Sequence, residues 1–279
     1  MPQLSGRRES GRYDGLVVTE STSTESTSTE LANQSITKLL SAPTNADTPR
    51  DDEVAALLLP IGHYVGTHYR IDQPGNSRQV RRGSTVHDLI DDQFALWTLA
   101  HGSQDAIENE RAWQRQSVEE QAHAMALAGA GEHIDGLIEI GLLVEVTPGS
   151  DQALDFARSH RLVPLMLGLG NSSDDLDSFG IGFLHQPVLG VSHAIYDVWQ
   201  WSTMDDSLWA TCENAADVAR RAGSTNPDFV DPTVMFTEFL GTLHGLLLPN
   251  AAYLDIGFRL NWPQRASAPA EGISRGWDR

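Results

Sequence analysis

The residues of this chain that could do chemistry are its histidines, its single cysteine and a glycine-rich run. His63 and His68 lie five residues apart, a spacing that places two strand side chains on opposite faces, so they do not form a metal clamp. The other histidines, of ten in all, are scattered singly and none lies in an H-E-x-x-H pattern. Cys212 cannot pair within the chain, and its apolar helical surroundings predict a buried thiol.

The glycine-rich run at residues 168–173 has the first two glycines of a dinucleotide-binding loop, but Ser173 stands where the third belongs. Carboxylates follow directly; they would repel a pyrophosphate, and their spacing differs from that of a helix-loop-helix calcium loop. No G-x-S-x-G elbow and no P-loop is present. The sequence therefore predicts a chain without a catalytic site, cofactor or metal, and leaves an enzyme without a recognised motif as an alternative. The carboxylates are Asp174, Asp175 and Asp177.

The charge balance favours partners other than nucleic acid. The chain has 38 acidic and 19 basic residues, a formal net charge of -19, and such a field repels polyanions unless a local basic patch overrides it. Arg78, Arg81 and Arg82 cluster on a predicted hairpin, with Arg70 nearby. They could grip a phosphate or an acidic peptide, or they could balance neighbouring carboxylates on a solvated hairpin.

The elements that must position these residues follow a repeated pattern. Apolar spacing predicts strand, three helices and strand over residues 54–148, a linker at 149–178, and a second such unit over 179–258. The two units lie in register: Val86 and Val191 each precede a first helix, and Gly141 and Gly245 each close a third helix, at offsets of 105 and 104 residues. The predicted fold class is α+β and mainly helical, with tandem winged-helix-like repeats. Residues 1–50, rich in Ser and Thr, predict disorder, and 263–279 predict a flexible tail.

The third helix of a winged helix enters the major groove when the domain reads DNA, and it then needs basic or amide side chains. Neither predicted third helix has an arginine or a lysine. We therefore expect DNA binding less than protein binding, and keep a winged-helix transcription regulator as the alternative. The carboxylates on these helices are Glu132, Asp135 and Glu139 in the first unit, and Asp231 and Glu238 in the second.

Residues 61–146 resemble the winged-helix domain that recognises leader peptides in ribosomal peptide modification, for which the pyrroloquinoline-quinone peptide chaperone family is the type example. The resemblance lies in the strand at residues 69–71, the helix LIDDQFALWTLAHG and the closing LIEIGLLVEV, and it covers under a third of the chain. It implies a non-catalytic domain that adds an extended peptide to its hairpin as a strand. The implied hairpin residues are Tyr69, Arg70, Ile71, Arg78, Arg81 and Arg82, and the implied groove residues are Ile134, Leu137 and Ile138.

Together these features predict a non-catalytic adaptor for a peptide or protein, with a role in modifying ribosomally made peptides as one setting. The chain has no run of eighteen apolar residues and no apolar stretch behind its first arginines. These absences predict no membrane span and no secretory signal, and with one cysteine they indicate a cytoplasmic protein. Formation of a homodimer is kept as an alternative to a monomer.

Overall fold

The structure, a computed structural model, describes residues 55–69 and 76–258. Within these ranges, none of the helices combines the length and the apolar character needed to cross a bilayer. Outside them lie the segment predicted as disordered (1–50), the predicted tail (263–279), and the predicted site residues Arg70 and Ile71.

The first half of the described chain begins and ends with a short strand. Between the two lie a three-stranded antiparallel sheet and four helices. Its elements are β1 (Leu57–Pro60), β2 (His63–Tyr69), β3 (Asn76–Arg82), β4 (Thr85–Leu89), α1 (Asp91–Leu99), α2 (Gln104–Glu108), α3 (Arg115–Ala124), α4 (Ala130–Glu139) and β5 (Leu143–Val146).

The second half opens with a helix and then repeats that order: a short strand, a three-stranded antiparallel sheet, helices and a last strand. Its elements are α5 (Asp151–Ser159), β6 (His160–Pro164), β7 (Leu167–Gly170), β8 (Phe179–Phe183), β9 (Gln186–Val191), α6 (His193–Trp201), α7 (Leu208–Arg221), α8 (Pro227–Val230), α9 (Pro232–Leu247) and β10 (Ala252–Ile256).

Strand pairing is the same in both halves. The first strand pairs antiparallel with the last, β1 with β5 and β6 with β10, and the three middle strands form a separate sheet. Each sheet has a one-residue bulge at the corresponding place on its first strand, at Val65 in β2 and at Leu169 in β7. The two halves are therefore built on one topology.

Helix starts in the second half follow the sequence directly. Ser192 precedes α6 and Ser207 precedes α7, and each serine oxygen accepts a backbone N–H of the first helical turn. Such caps satisfy donors that have no partner inside the helix. Helix α4 ends before Gly141, whose positive φ of 72° suits glycine at a helix end.

The β1–β5 ladder is shared between two hydrophobic cores. Because successive strand residues point to opposite faces, Leu58 packs into the core of the first half, while Leu57 and Leu59 pack into the core of the second. On β5, Leu143 belongs to the first core and Val146 to the second. The halves therefore meet through a buried apolar layer.

The predicted fold class is wrong in one respect: the chain is α+β and is not mainly helical. Strands take up 26% and helices 44% of the structure, in four small sheets. One missed strand is β4: the sequence pattern favours Ser84 or Thr85 as the cap of the following helix, but Thr85 begins a strand. A five-residue segment fits both periods, and sheet pairing with β3 decides the outcome. The predicted linker at 149–178 includes α5, β6 and β7.

Candidate functional site

The arginines of β3 make contacts within the protein. Arg78 lies 3.2 Å from the carboxylate of Asp91 and stacks 5.3 Å from the ring centre of Phe94. Arg82 donates a 2.9 Å hydrogen bond to the carbonyl oxygen of Ile140, at the end of α4. These contacts fit the interpretation in which the hairpin arginines balance neighbouring groups.

Arg81 connects the two halves. Its guanidinium donates to the carbonyl oxygen of Gly83 and to the hydroxyl of Tyr253, each at 2.9 Å, and lies 3.5 Å from the carboxylate of Asp255. Asp255 is 1% exposed and also faces Arg161 at 3.8 Å. The arginine is therefore held at the contact between β3 and β10, which we call the seam between the two halves.

The predicted groove residues lie in or beside the first core. Ile134 and Leu137, on α4, are fully buried and pack with Val80 and Leu96. Ile138 is partly buried against the same cluster. Tyr69 lies elsewhere, at the end of β2, where it is exposed. The structure thus does not bring the predicted groove and hairpin residues together around an open surface.

The third helices present carboxylates, as the sequence predicted. On α4, Asp135 pairs with Arg115 of α3 at 2.6 Å, and this hydrogen bond holds the pKa of Asp135 below its usual value. Asp231 caps α9 by accepting the backbone N–H of Thr233. Such a helix would repel the phosphates that a DNA-binding helix must neutralise.

An open strand edge is the feature that the sequence interpretation missed. Of the four outer edges of the two three-stranded sheets, β2 and β7 are interrupted by the bulges at Val65 and Leu169. The edge strand β9 has Pro187, which lacks an N–H, and a bulge at Val188. Such devices discourage pairing with another chain. Strand β4 pairs with β3 without a register shift and contains no proline.

The backbone of β4 can be oriented from its turn. A two-residue turn, Gly83 and Ser84, joins Arg82 to Thr85, and the residues that flank such a turn form a hydrogen-bonded pair. Since these pairs alternate along an antiparallel ladder, the N–H and C=O groups of Val86 point away from β3. The same holds for the next residue but one, Asp88.

The surroundings of this edge are apolar and acidic. Val86 is 48% exposed and Ile90, at the end of the strand, is 57% exposed. Asp88 lies between them, and Asp91 and Asp92 open the next helix. An extended segment with apolar side chains and positive charge would complement this surface. The sequence contains no clear signal for this strand, because the apolar residues of T-V-H-D-L are spaced three apart, as in a helix.

The histidines do not assemble a metal site. Among the described residues, no three His, Cys, Asp or Glu side chains are arranged so that they could hold a metal ion. His63 packs its ring 4.8 Å from that of Tyr253. His244 is buried, its Nε2 lies 3.0 Å from the carbonyl oxygen of Leu58, and burial lowers its pKa to about 4. These contacts describe residues of the core and the seam.

Cys212 and the run at 168–173 likewise show no catalytic geometry. Cys212 is fully buried, and burial raises the pKa of its thiol to about 12, so the nucleophilic thiolate is suppressed at neutral pH. The run belongs to β7 and the loop after it, where the Gly170 N–H donates to the hydroxyl of Tyr196 at 3.2 Å.

No protein-family model, curated protein or solved structure matches this chain.

Proposed function

We propose that the protein is a non-catalytic adaptor that binds an extended segment of a peptide or protein as an additional strand along β4. The observation that carries this proposal is an edge strand without bulge or proline, whose outward backbone groups lie beside exposed Val86 and Ile90. Main-chain hydrogen bonds supply affinity in this binding mode, and pockets for alternate side chains supply specificity.

The partner segment is basic. Asp92 lies in the first turn of the helix that follows the edge, and the whole chain has a net charge of -19, so a cationic segment is attracted and an anionic one repelled. A leader peptide of a ribosomally made product is one setting for such a segment. Strand addition itself was implied by the sequence resemblance, with the hairpin that contains Tyr69 and Arg78 as the binding edge. We propose β4 as the edge instead, because it has neither a register shift nor a proline.

A DNA-reading function has less support. The α4 and α9 helices carry carboxylates, and Arg78, Arg81 and Arg82 are each engaged by groups of the protein itself. A discrete complex with double-stranded DNA that persists at physiological salt would favour the transcription-regulator alternative over the adaptor.

The test is selection of a displayed random-peptide library against the immobilised full chain. We expect peptides in which β-branched apolar residues alternate with Lys or Arg. Binding of a selected peptide should slow hydrogen exchange of the Val86 amide, because this amide donates to the added strand. Selection of no peptide, or protection confined to β2, would contradict the proposal.

Two matched proline variants locate the site. Val86→Pro removes an outward N–H and should lower the affinity for the selected peptide by about tenfold. Tyr69→Pro places the same residue at the exposed end of β2 and should change the affinity less than about twofold. Far-UV circular dichroism of both variants checks that the fold is retained. Unchanged binding in Val86→Pro would exclude β4 as the docking edge.

A further inference from the structure

A second surface lies in the other half of the molecule, at the start of α6. An open cleft of about 520 Å³ separates the first turn of this helix from the loop between β7 and β8. Apolar, aromatic and carboxylate side chains share its lining. The lining residues are Leu176, Asp177, Phe179, Ser192 and His193.

One wall of the cleft is a braced aromatic ring. Phe179 lies 4.9 Å from the ring of His193 and 5.1 Å from that of Tyr196. Tyr196 is itself buried, and its hydroxyl accepts the backbone N–H of Gly170. The ring of Phe179 is thus held from two sides, and a positioned ring can receive a cation against its face.

The loop that forms the other wall is stabilised by hydrogen bonds between its own residues. The side-chain amide of Asn171 donates to the carbonyl oxygen of Leu176 at 2.9 Å, and the Asp175 carboxylate accepts the backbone N–H groups of Asp177 and Ser178. By contrast, the Asp177 carboxylate accepts no hydrogen bond from the part of the chain that the structure describes. It lines the cleft and is available to a ligand.

The chain segment that forms the cleft is acidic in sequence. Residues 162–219 contain no lysine or arginine and eight carboxylates. Besides Asp177, Asp197 lies near the cleft, 3.4 Å from Nε2 of His193; burial raises the pKa of Asp197 and the His193 charge lowers it. The eight are Asp174, Asp175, Asp177, Asp197, Asp205, Asp206, Glu213 and Asp217.

We propose that this cleft binds an arginine side chain of a basic partner segment. The aliphatic stem lies along Leu176, the guanidinium stacks on Phe179, and the Asp177 carboxylate accepts from its N–H groups. Arginine suits the cleft better than lysine because a planar guanidinium both stacks on a ring and donates to a carboxylate. The cleft lies in the second half, away from β4, so this inference does not depend on strand addition.

The test uses the full chain and a blocked Ala-Arg-Ala tripeptide, followed by NMR. We expect saturable shifts of the His193 imidazole and Phe179 ring signals at millimolar peptide. The same tripeptide with citrulline has the shape of the arginine side chain without its charge and should produce no saturable shift. Equal binding of the citrulline tripeptide, or shifts that leave both rings unmoved, would overturn the proposal.

Matched charge variants separate the cleft from the general field of the protein. Asp177→Asn should lower the affinity for the arginine tripeptide about two- to fivefold, as expected for loss of an exposed ion pair. Asp151→Asn removes the same charge from an exposed position at the start of α5 and should leave the affinity within the error of the measurement. Equal weakening by both variants would overturn the proposal.

The two binding proposals can fail separately. Val86→Pro alters the β4 edge and should leave binding of the arginine tripeptide unchanged, whereas Asp177→Asn should leave Val86 protection by a library-selected peptide unchanged. Loss of tripeptide binding in Val86→Pro would show that the cleft is not an independent site and would overturn this inference alone.

Discussion

The backbone N–H of Gly83 donates a 2.7 Å hydrogen bond to Oδ1 of Asp255, which lies 172 residues further along the chain. Gly83 opens the turn between β3 and β4, and a side chain there would collide with Ile256. The turn therefore rests directly on β10. Because Asp255 also faces Arg81 and Arg161, one buried carboxylate organises the seam between the halves.

Replacing this carboxylate should destabilise the whole chain. Asp255→Ala leaves two guanidinium groups at the seam without their shared partner and removes the acceptor of the Gly83 N–H. We expect the free energy of unfolding to fall by about 3–5 kcal/mol, as for other broken buried ion pairs. Urea denaturation followed by tryptophan fluorescence measures it. Asp217→Ala, which breaks exposed pairs with Arg220 and Arg221, is the control and should hardly move the midpoint. A loss below about 1 kcal/mol for Asp255→Ala would contradict the role given to the carboxylate.

Mild acid should destabilise the protein through His244. Its pKa is about 4 in the fold instead of 6.5, chiefly because of burial. As pH falls, the unfolded chain takes up the proton first, so the free energy of unfolding drops between pH 6.5 and 4. For this residue the loss from pH 7 to pH 5 is about 2 kcal/mol. His101 has its pKa lowered to about 4 by burial as well and acts in the same direction.

His244→Gln separates this titration from other acid effects. The amide of glutamine can still donate to the Leu58 carbonyl oxygen but does not ionise, so urea midpoints measured from pH 7 to pH 5 should depend less on pH in the variant. His123→Gln, on the exposed side of α3, should retain the wild-type dependence. If the urea midpoint of His244→Gln depends on pH as strongly as that of the wild type, His244 is not the cause of the acid destabilisation.

Local sequence patterns predicted some helices and strands correctly and did not predict others. The segment that closes the first half was predicted as a helix ending at Gly141 followed by a strand, and α4 and β5 (Leu143–Val146) lie there. The strand β4 was missed because its period is ambiguous over so few residues. Pairing of β1 with β5 across more than eighty residues was also missed, since pairing between distant strands leaves no mark on local periodicity.

The candidate surfaces were harder to predict for the same reason. Arg81 is drawn into the seam by Asp255, a contact between residues far apart in sequence. Ile134 and Leu137 satisfy a helical apolar pattern whether they line a groove or fill a core, and the structure places them in the core. An edge becomes visible as a docking surface only when its neighbours in the sheet are known.

Two tryptophans in corresponding places donate to backbone carbonyl oxygens, and loss of either hydrogen bond should lower stability. Trp97 donates its indole N–H to the carbonyl oxygen of Ile61, and Trp199 donates to that of Ala251, both at 3.1 Å. Ile61 and Ala251 each lie at the end of the two-stranded ladder of their half. Trp97→Phe removes the indole donor of the Ile61 carbonyl oxygen, at a cost of about 1–3 kcal/mol. Trp199→Phe should cost less, because the Ala251 oxygen still accepts the Leu165 N–H at 2.9 Å. Trp201→Phe, at an exposed position, is the control. Urea midpoints of the three variants make the comparison, and a Trp201 effect as large as the others would contradict it.

Cys212 can report on opening of the second core. Its thiol is fully buried and has a pKa raised to about 12, so a disulfide reagent such as dithionitrobenzoate should react only when the core opens. We expect slow labelling of the native chain at pH 8 and rapid labelling in urea. The Asp255→Ala variant should be labelled faster by the factor by which its open population rises, because labelling through opening follows the population of the open form. Trp201→Phe should be labelled at the wild-type rate. Fast labelling of the native wild-type chain would show that Cys212 reaches solvent without unfolding, and would contradict a closed core beneath α7.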